Sequence, residues 1–285
     1  MEREYKSFYK AVGGNEGGKC HYATRLDTYG CGCQHDCSYC YAKSLLEFRH
    51  NWHCMEPSIA DSKKIARKVK TLRRGDFVRL GGMTDCFMPM ELRHRVTYNT
   101  IKALNDQGVS YLIVTKSDIV ARDDYVDVLD KDLAHIQISL TCTDDGLYRA
   151  LGIERAVPPS RRVAAAEKLS ALGYDTQVRL SPYIPQFIDV ERLAQINCDK
   201  ILIEFLRVNS WVKRWLDIDY SEYTVKQSGY QHMPLERKLD YIGRVRGFER
   251  VTVCEDETEA YEYWQKHFNP NPNDCCDLRK KEPKK

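Results

Sequence analysis

Residues 30–41, Gly-Cys-Gly-Cys-Gln-His-Asp-Cys-Ser-Tyr-Cys-Tyr, constrain this chain more than any other stretch. Within them Cys33, Cys37 and Cys40 are spaced C-x3-C-x2-C on a short, glycine-flanked loop. Three thiolates so close in sequence can reach one inorganic centre without help from distant parts of the fold. Soft sulfur ligands select iron–sulfur clusters or zinc over hard cations. A cluster normally takes four cysteines, so three at this spacing leave one iron open to another ligand. Zinc is the alternative, because Cys31, His35, Cys20 and His21 lie near enough to complete a tetrahedral site. A zinc ribbon, however, requires two separated C-x-x-C pairs, and only Cys37/Cys40 is present.

The 285 residues suffice for one large α/β domain. Charge is balanced at a formal +3, so composition alone demands no nucleic-acid partner. Twelve cysteines in a chain that opens Met-Glu-Arg-Glu-Tyr-Lys, with no secretory leader, point to a reducing compartment. The expected location is the cytoplasm, or a host cytoplasm for a viral protein. No apolar run approaches the ~20 residues needed to cross a bilayer, so no membrane association is expected.

Strand-like and helix-like stretches alternate from residue 23 onward. Residues 22–29, 76–80, 110–114, 135–140, 177–180 and 200–206 read as strands. Intervening helices are marked by Ile65, Val69 and Leu72, by Thr97, Ile101 and Leu104 before Gly108, and by Pro158-Pro159-Ser160 opening a run to Gly173. Shorter helical patterns surround Tyr125 and Val190. Six β/α units in a row predict an α/β fold with a parallel sheet and outer helices. In such folds function collects at the C-terminal strand ends. Residues 1–22 read as an N-terminal arm, 23–208 as the core barrel, and 209–285 as a C-terminal extension covering the active site. Within the extension, residues 251–253 are strand-like, 258–268 helical, and 280–285 a lysine-rich end expected to be disordered. Cys54, Cys142 and Cys198 read as small core residues.

The cysteine loop, with Tyr39 before its third cysteine, resembles the signature of radical S-adenosylmethionine enzymes. From Arg25 to about Arg207 the chain is similar to the spore photoproduct lyase-like group of that superfamily. The similarity rests also on Thr115-Lys116, on Ser139-Leu140-Thr141, and on Glu154 followed by Pro158-Pro159-Ser160-Arg161-Arg162. The resemblance implies a partial (β/α)6 barrel as the fold, and a 4Fe–4S cluster on Cys33, Cys37 and Cys40, with S-adenosylmethionine on the fourth iron. It further implies that Lys116 or Arg162 meets the cofactor carboxylate, Ser139 helps hold the cofactor, Glu154 takes a ribose hydroxyl and Tyr39 or Tyr41 faces the adenine. Gly81 and Gly82 would let backbone approach the amino group. An electron donor such as flavodoxin or ferredoxin is the implied protein partner.

One departure stands out. Spore photoproduct lyases keep a hydrogen-donor cysteine shortly before an aspartate at the second strand's end. Here Cys86 follows Asp85 instead. Cys86 is one candidate donor, and the adjacent Cys275 and Cys276 are others, or else accessory ligands. Arg207, Trp211, Lys213 and Arg214, with Trp215 and Tyr220, combine cations with stacking surfaces as single-stranded or flipped bases require. The expectation is a radical enzyme that rearranges or modifies a thymine-derived base in DNA, with hypermodification or isomerisation as the chemistry. Three alternatives are a radical enzyme acting on a peptide or small molecule, a photoproduct repair lyase, and a metal-stabilised nucleic-acid-binding module without catalysis.

Overall fold

The structure is a computed structural model that describes residues 5–10, 19–272 and 274–278. Residues 11–18 of the N-terminal arm and the lysine-rich end lie outside the described residues. In chain order the strands are β1 (Phe8–Lys10), β2 (Thr24–Leu26), β3 (Tyr29–Gly30), β4 (Ser58–Ile59), β5 (Phe77–Leu80), β6 (Ser110–Thr115), β7 (Ala134–Ser139), β8 (Asp175–Tyr183), β9 (Lys200–Phe205), β10 (Val225–Gln227), β11 (Tyr230–His232) and β12 (Arg250–Val253). The helices are α1 (Tyr41–Phe48), α2 (Ser62–Val69), α3 (Glu91–His94), α4 (Val96–Gln107), α5 (Asp123–Val126), α6 (Pro159–Ala171), α7 (Val190–Leu193), α8 (Ser210–Trp215), α9 (Leu235–Ile242) and α10 (Thr258–Tyr263).

The main sheet runs β1-β2-β5-β6-β7-β8-β9-β12. Strands β2 and β5 to β9 pair in parallel and give the six-stranded core that alternation predicts. The apolar strands of this layer are buried almost throughout, as parallel strands covered by helices must be. Helix α4 buries Ile101 and Leu104 on one stripe and ends where Gly108 turns left-handed at φ 67°. Helix α6 starts with Pro159, whose ring fits the first turn, and packs Ala165, Ala166 and Leu169 inward. Asp61 caps α2 by accepting from the amides of Lys63 and Lys64.

Two features exceed the six-unit expectation. The first strand is broken, so that β2 stays in the main sheet while β3 pairs with β4. The C-terminal extension, expected to cover the barrel, contributes a strand: β12 pairs in parallel with β9 and widens the sheet at that edge. The last described residues, Asp274 to Leu278, then return to the interior. Cys276 and Leu278 pack with Tyr22, Leu112 of β6 and Leu202 of β9. The Tyr22 hydroxyl donates to Asp274 at 2.6 Å. Beneath them His135 Nδ1 lies 2.5 Å from Asp175, which also pairs with Lys200, and Lys200 donates to the Asp277 carbonyl. One end of the sheet interior is therefore filled by the arm and the tail, and the other end, at the strand C-termini, stays open.

Candidate active site

The three-cysteine loop leaves β3 and re-enters helical structure at α1. Cys40 is the α1 N-cap, its sulfur accepting from the Lys43 amide at 3.4 Å. Between these points Gly32 stands at φ +143°, and a side chain there would meet the His53 carbonyl oxygen at 2.4 Å. Ser38 ties the loop to the barrel, its hydroxyl donating to the Leu151 carbonyl at 2.6 Å. Cys33 and Cys37 are buried and Cys40 half-buried. Burial, and then the charge of Cys37, push the Cys40 thiol up to about 11, and burial raises Cys33 as well. Thiols held together and desolvated in this way are costly to ionise alone and suit a cationic centre that displaces their protons.

These sulfurs open onto a cavity at the strand ends. Of the residues assigned to the cofactor by sequence, Tyr39, Tyr41, Gly81, Gly82, Lys116 and Ser139 line it. Lys116 Nζ sits 5.6 Å from the centre of the Tyr39 ring, and the Tyr39 hydroxyl meets Thr141 at 3.1 Å. The Gly81-Gly82 turn is held by the buried Asp27, which accepts from the Gly82 amide at 2.6 Å and from Met83 at 3.1 Å. Tyr9 packs where a Gly82 side chain would go, and Tyr41 donates to the Gly82 carbonyl. The donor set thus fits a cluster with a zwitterionic nucleoside cofactor: three thiols, a cation, an aromatic face and close backbone.

Asp85 organises this wall. It accepts from Thr115 Oγ1 at 2.7 Å, from the Lys116 amide at 2.7 Å and from the Phe87 amide at 2.9 Å, and His35 Nε2 lies 3.2 Å away. Burial alone would raise its carboxyl, but His35 and the amides bring it down to about 2. The link fixes the loop between Cys33 and Cys37 to the ends of β5 and β6, a role not assigned to Asp85 from sequence.

Other assigned residues lie elsewhere. Arg162 is fully buried behind the wall, donating to the Val157 and Ser139 carbonyls. Glu154 is exposed and outside the cavity lining. Cys86 is fully buried in the apolar core. Cys275 lines the cavity, and Cys276 lies buried next to it. Arg207 lines the cavity, 5.2 Å over the Tyr41 ring, and is paired with Asp256 at 2.6 Å. Trp211, Lys213 and Arg214 stand outside it on α8, with Lys213 and Arg214 exposed and Trp211 5.4 Å from Trp215. Helix α8 abuts α1, where Lys43 lies 4.6 Å over Trp215 and Asn209 reaches Ser44. Cys142 and Cys198 are buried as small core residues, whereas Cys54 is half-buried and touched by Arg155.

The far wall carries a charged group that sequence reading missed. Glu204 accepts from Arg179 at 2.5 Å and Ser181 at 2.7 Å, with Arg207 at 3.5 Å. Burial would raise its carboxyl, but Arg179 and then Arg207 bring it from 4.5 to about 2. A carboxyl whose folded value is depressed stabilises the fold above its unfolded value and loses that contribution on acidification through the folded one. Glu204→Gln is expected to lose less stability than the parent between pH 4.5 and about 2, read by thermal unfolding of apo-protein. Parallel pH profiles for the two proteins would refute this.

The sequence matches the Radical SAM superfamily over residues 28–195. The chain belongs to the radical SAM superfamily. Its cofactors are accordingly a 4Fe–4S cluster and S-adenosylmethionine. An uncharacterised protein of Methanocaldococcus jannaschii is 28% identical over 161 residues, 56% of this chain and 60% of its own length. An uncharacterised Mycobacterium tuberculosis protein is 28% identical over 176 residues, 58% of this chain and 51% of its own. The chain thus spans between half and two thirds of the curated relatives it matches. Among solved structures, a spore photoproduct lyase mutant superposes with TM-score 0.61 at 14% identity, over 85% of this chain and 75% of that one. SuiB of Streptococcus suis, bound to precursor peptide SuiA, gives TM-score 0.52 at 15% identity over 77% of this chain and 45% of SuiB. These likenesses establish the fold. No helix among the described residues is long and apolar enough to cross a membrane.

Proposed function

We propose that this protein reductively cleaves S-adenosylmethionine and uses the product radical to rearrange or modify a thymine-derived base in DNA. The observation that carries the first half is the convergence of Cys33, Cys37 and Cys40 with Lys116, Ser139 and the Gly81-Gly82 backbone on one cavity. When bound, cluster and cofactor supply a 5'-deoxyadenosyl radical, given an external electron donor such as a flavodoxin or ferredoxin. The chain's own residues bind and aim. Lys116 offers the cofactor carboxylate a cation, Tyr39 and Tyr41 offer ring faces, and the Asp27-held glycine turn offers close backbone. Lys116→Met is expected to raise the KM for S-adenosylmethionine about tenfold or more, since a charge-assisted hydrogen bond contributes roughly 1.5–3 kcal/mol. An unchanged KM would remove Lys116 from this role.

Support for a DNA substrate comes from position and charge. The exposed cations and paired tryptophans of α8 adjoin the cluster helix, and Arg207 with Tyr41 continues that surface into the cavity. A spore photoproduct lyase has been solved with dinucleoside spore photoproduct. Cys86, which follows Asp85 in sequence, is enclosed in the core, and this favours a reaction needing no thiol at that strand end over photoproduct reversal. The test is anaerobic 5'-deoxyadenosine formation with and without DNA containing thymine-derived bases, deuterated at the candidate carbon. DNA-stimulated turnover with deuterium in the deoxyadenosine is expected. Turnover indifferent to every DNA, but stimulated by a peptide or small molecule, would overturn the substrate class.

A further inference from the structure

The cluster loop has an outer side, away from the cavity, and that side carries an apolar and basic surface. Residues 49–59 run from α1 to β4 along it. Asn51 donates to Cys31 Sγ at 3.4 Å, the His53 amide to the Cys31 carbonyl at 2.9 Å, and the Trp52 indole to Asp36 at 2.9 Å. Strand β4 then pairs with β3, placing Ile59 opposite Tyr29. No residue from 43 to 59 lines the cavity, whereas Cys33, Cys37 and Cys40 do. The exposed side chains of this stretch are apolar out of proportion. Phe48 is 71% exposed, Met55 70%, Ile59 45% and Leu45 38%, four of the seven large apolar side chains so exposed among the described residues. Leu45 and Phe48, three apart, share one face of α1.

Helix α2 starts directly beyond Ala60, whose amide donates to the Thr28 carbonyl at 3.1 Å, so its first turn stands beside the strand that leads into the ligand loop. Between residues 62 and 75 the chain has seven Lys and Arg and no Asp or Glu. All seven are exposed, and none is in an ion pair among the described residues. The helix buries only Ile65 and Val69. The whole chain is only +3, so everything outside this stretch is net acidic and the positive field is concentrated here. Cations next to exposed phenyl and thioether groups fit a protein with an acidic face better than a nucleic acid. Phosphates would engage the cations and leave Phe48 and Met55 in water. Protein interfaces, by contrast, are enriched in Phe, Met and Arg. Electron-transfer encounters bury the least area of any specific protein contact, so a few apolar side chains flanked by cations suffice.

We infer that α2, with Phe48 and Met55, is the docking surface for an acidic one-electron carrier protein, which approaches the outer side of the cluster loop and leaves the cavity free for cofactor and substrate. The carrier is oxidised by one electron and the centre on the loop is reduced by one, with no bond or proton moved. The inference rests on the reductive cleavage proposed above and not on the DNA substrate. Its test uses the anaerobically reconstituted full chain and a reduced flavodoxin of net negative charge, whose oxidation is followed by stopped flow. Reduced methyl viologen, too small to need a docking surface, is the comparison. Raising the ionic strength from about 20 to about 500 mM should slow the flavodoxin reaction of the parent about tenfold or more, because screening removes steering. Lys63→Glu/Lys64→Glu/Arg67→Glu should be about tenfold or more slower than the parent at low salt and should lose that salt dependence. Phe48→Ala should weaken flavodoxin binding by roughly tenfold and keep the salt dependence. Calorimetric titration with oxidised flavodoxin should rank the three affinities in the same way, and methyl viologen should reduce all three proteins at closely similar rates. Flavodoxin failing where methyl viologen succeeds, or reacting at a rate indifferent to salt and to the charge reversal, would overturn the inference. So would a charge-reversed variant that keeps its flavodoxin rate and loses binding to single-stranded DNA, which would give the surface to nucleic acid. A parent chain that methyl viologen cannot reduce would sink the reading of the cluster loop itself, and this inference with it.

Discussion

Gly32→Ala should lower 5'-deoxyadenosine formation by about 100-fold or more while leaving the barrel folded, because a reacting group misplaced by an ångström costs about that factor. Gly32 sits between β3 and the first ligand, Cys33, at a φ of +143° that L side chains rarely adopt. A Cβ there would lie 2.4 Å from the His53 carbonyl oxygen, and His53 cannot simply yield, since its amide donates to Cys31 at 2.9 Å. The loop must then move, carrying Cys33 away from Cys37 and Cys40. Backbone strain of this kind amounts to roughly 1–3 kcal/mol, too little to unfold a domain of this size. Gly75→Ala is the control. It also has positive φ, but nothing lies within 4 Å of an added carbon and it is far from the cysteine loop. Activity should survive there and fall at Gly32, with unfolding temperatures of the two variants close together. Equal activities would mean that the loop geometry does not set the ligand positions.

What could be read from sequence was whatever is local. The ligand trio lies within eight residues, Gly108 stops α4 and Pro159 opens α6 where propensity places them, and the strand ends carry Lys116 and Ser139 because a parallel sheet presents all its C-termini on one side. What could not be read depends on contacts far apart in the chain. Nothing near Cys20 or Cys254 signals that they converge with the tail, since that meeting is set by β12 pairing with β9 and by Tyr22 reaching Asp274 across 252 positions. Arg162 reads as a cofactor cation in the sequence; the structure buries it beside the wall, where it donates to the Val157 and Ser139 carbonyls. Glu154 is exposed and outside the cavity lining. In sequence Asp85 matches only the strand-end aspartate of the family; its tethering role is hidden there because its four partners come from three separate segments.

Glu91→Ala should destabilise the fold by roughly 3–5 kcal/mol, the largest stability loss expected from a residue outside the sulfur sites, because it removes the shared acceptor and leaves several buried donors unsatisfied. Glu91 is fully buried and receives four hydrogen bonds: from the Thr97 and Tyr98 amides at 2.9 Å each, and from the hydroxyls of Tyr29 and Tyr125. The amides belong to the first turn of α4, where a carboxylate satisfies otherwise unpaired N–H groups and complements the helix dipole. Burial, and then Glu91 (its charge at Tyr29, its hydrogen bond at Tyr125), keep both phenols far above their ordinary range, so they remain donors. Glu91→Gln keeps the shape but replaces one acceptor oxygen with a donor amide facing donors, so it should recover less than half of the loss. Tyr125→Phe, which removes one of the four bonds and leaves the carboxylate otherwise satisfied, should lose only about 1–2 kcal/mol. Because Tyr29 opens the two-residue β3 that leads into the ligand loop, the Glu91 variants should also bind iron less tightly at Cys33, Cys37 and Cys40. Denaturant unfolding of the apo-proteins gives the ranking directly. If Glu91→Ala proved no less stable than Tyr125→Phe, the carboxylate would not be what joins β3, α4 and α5.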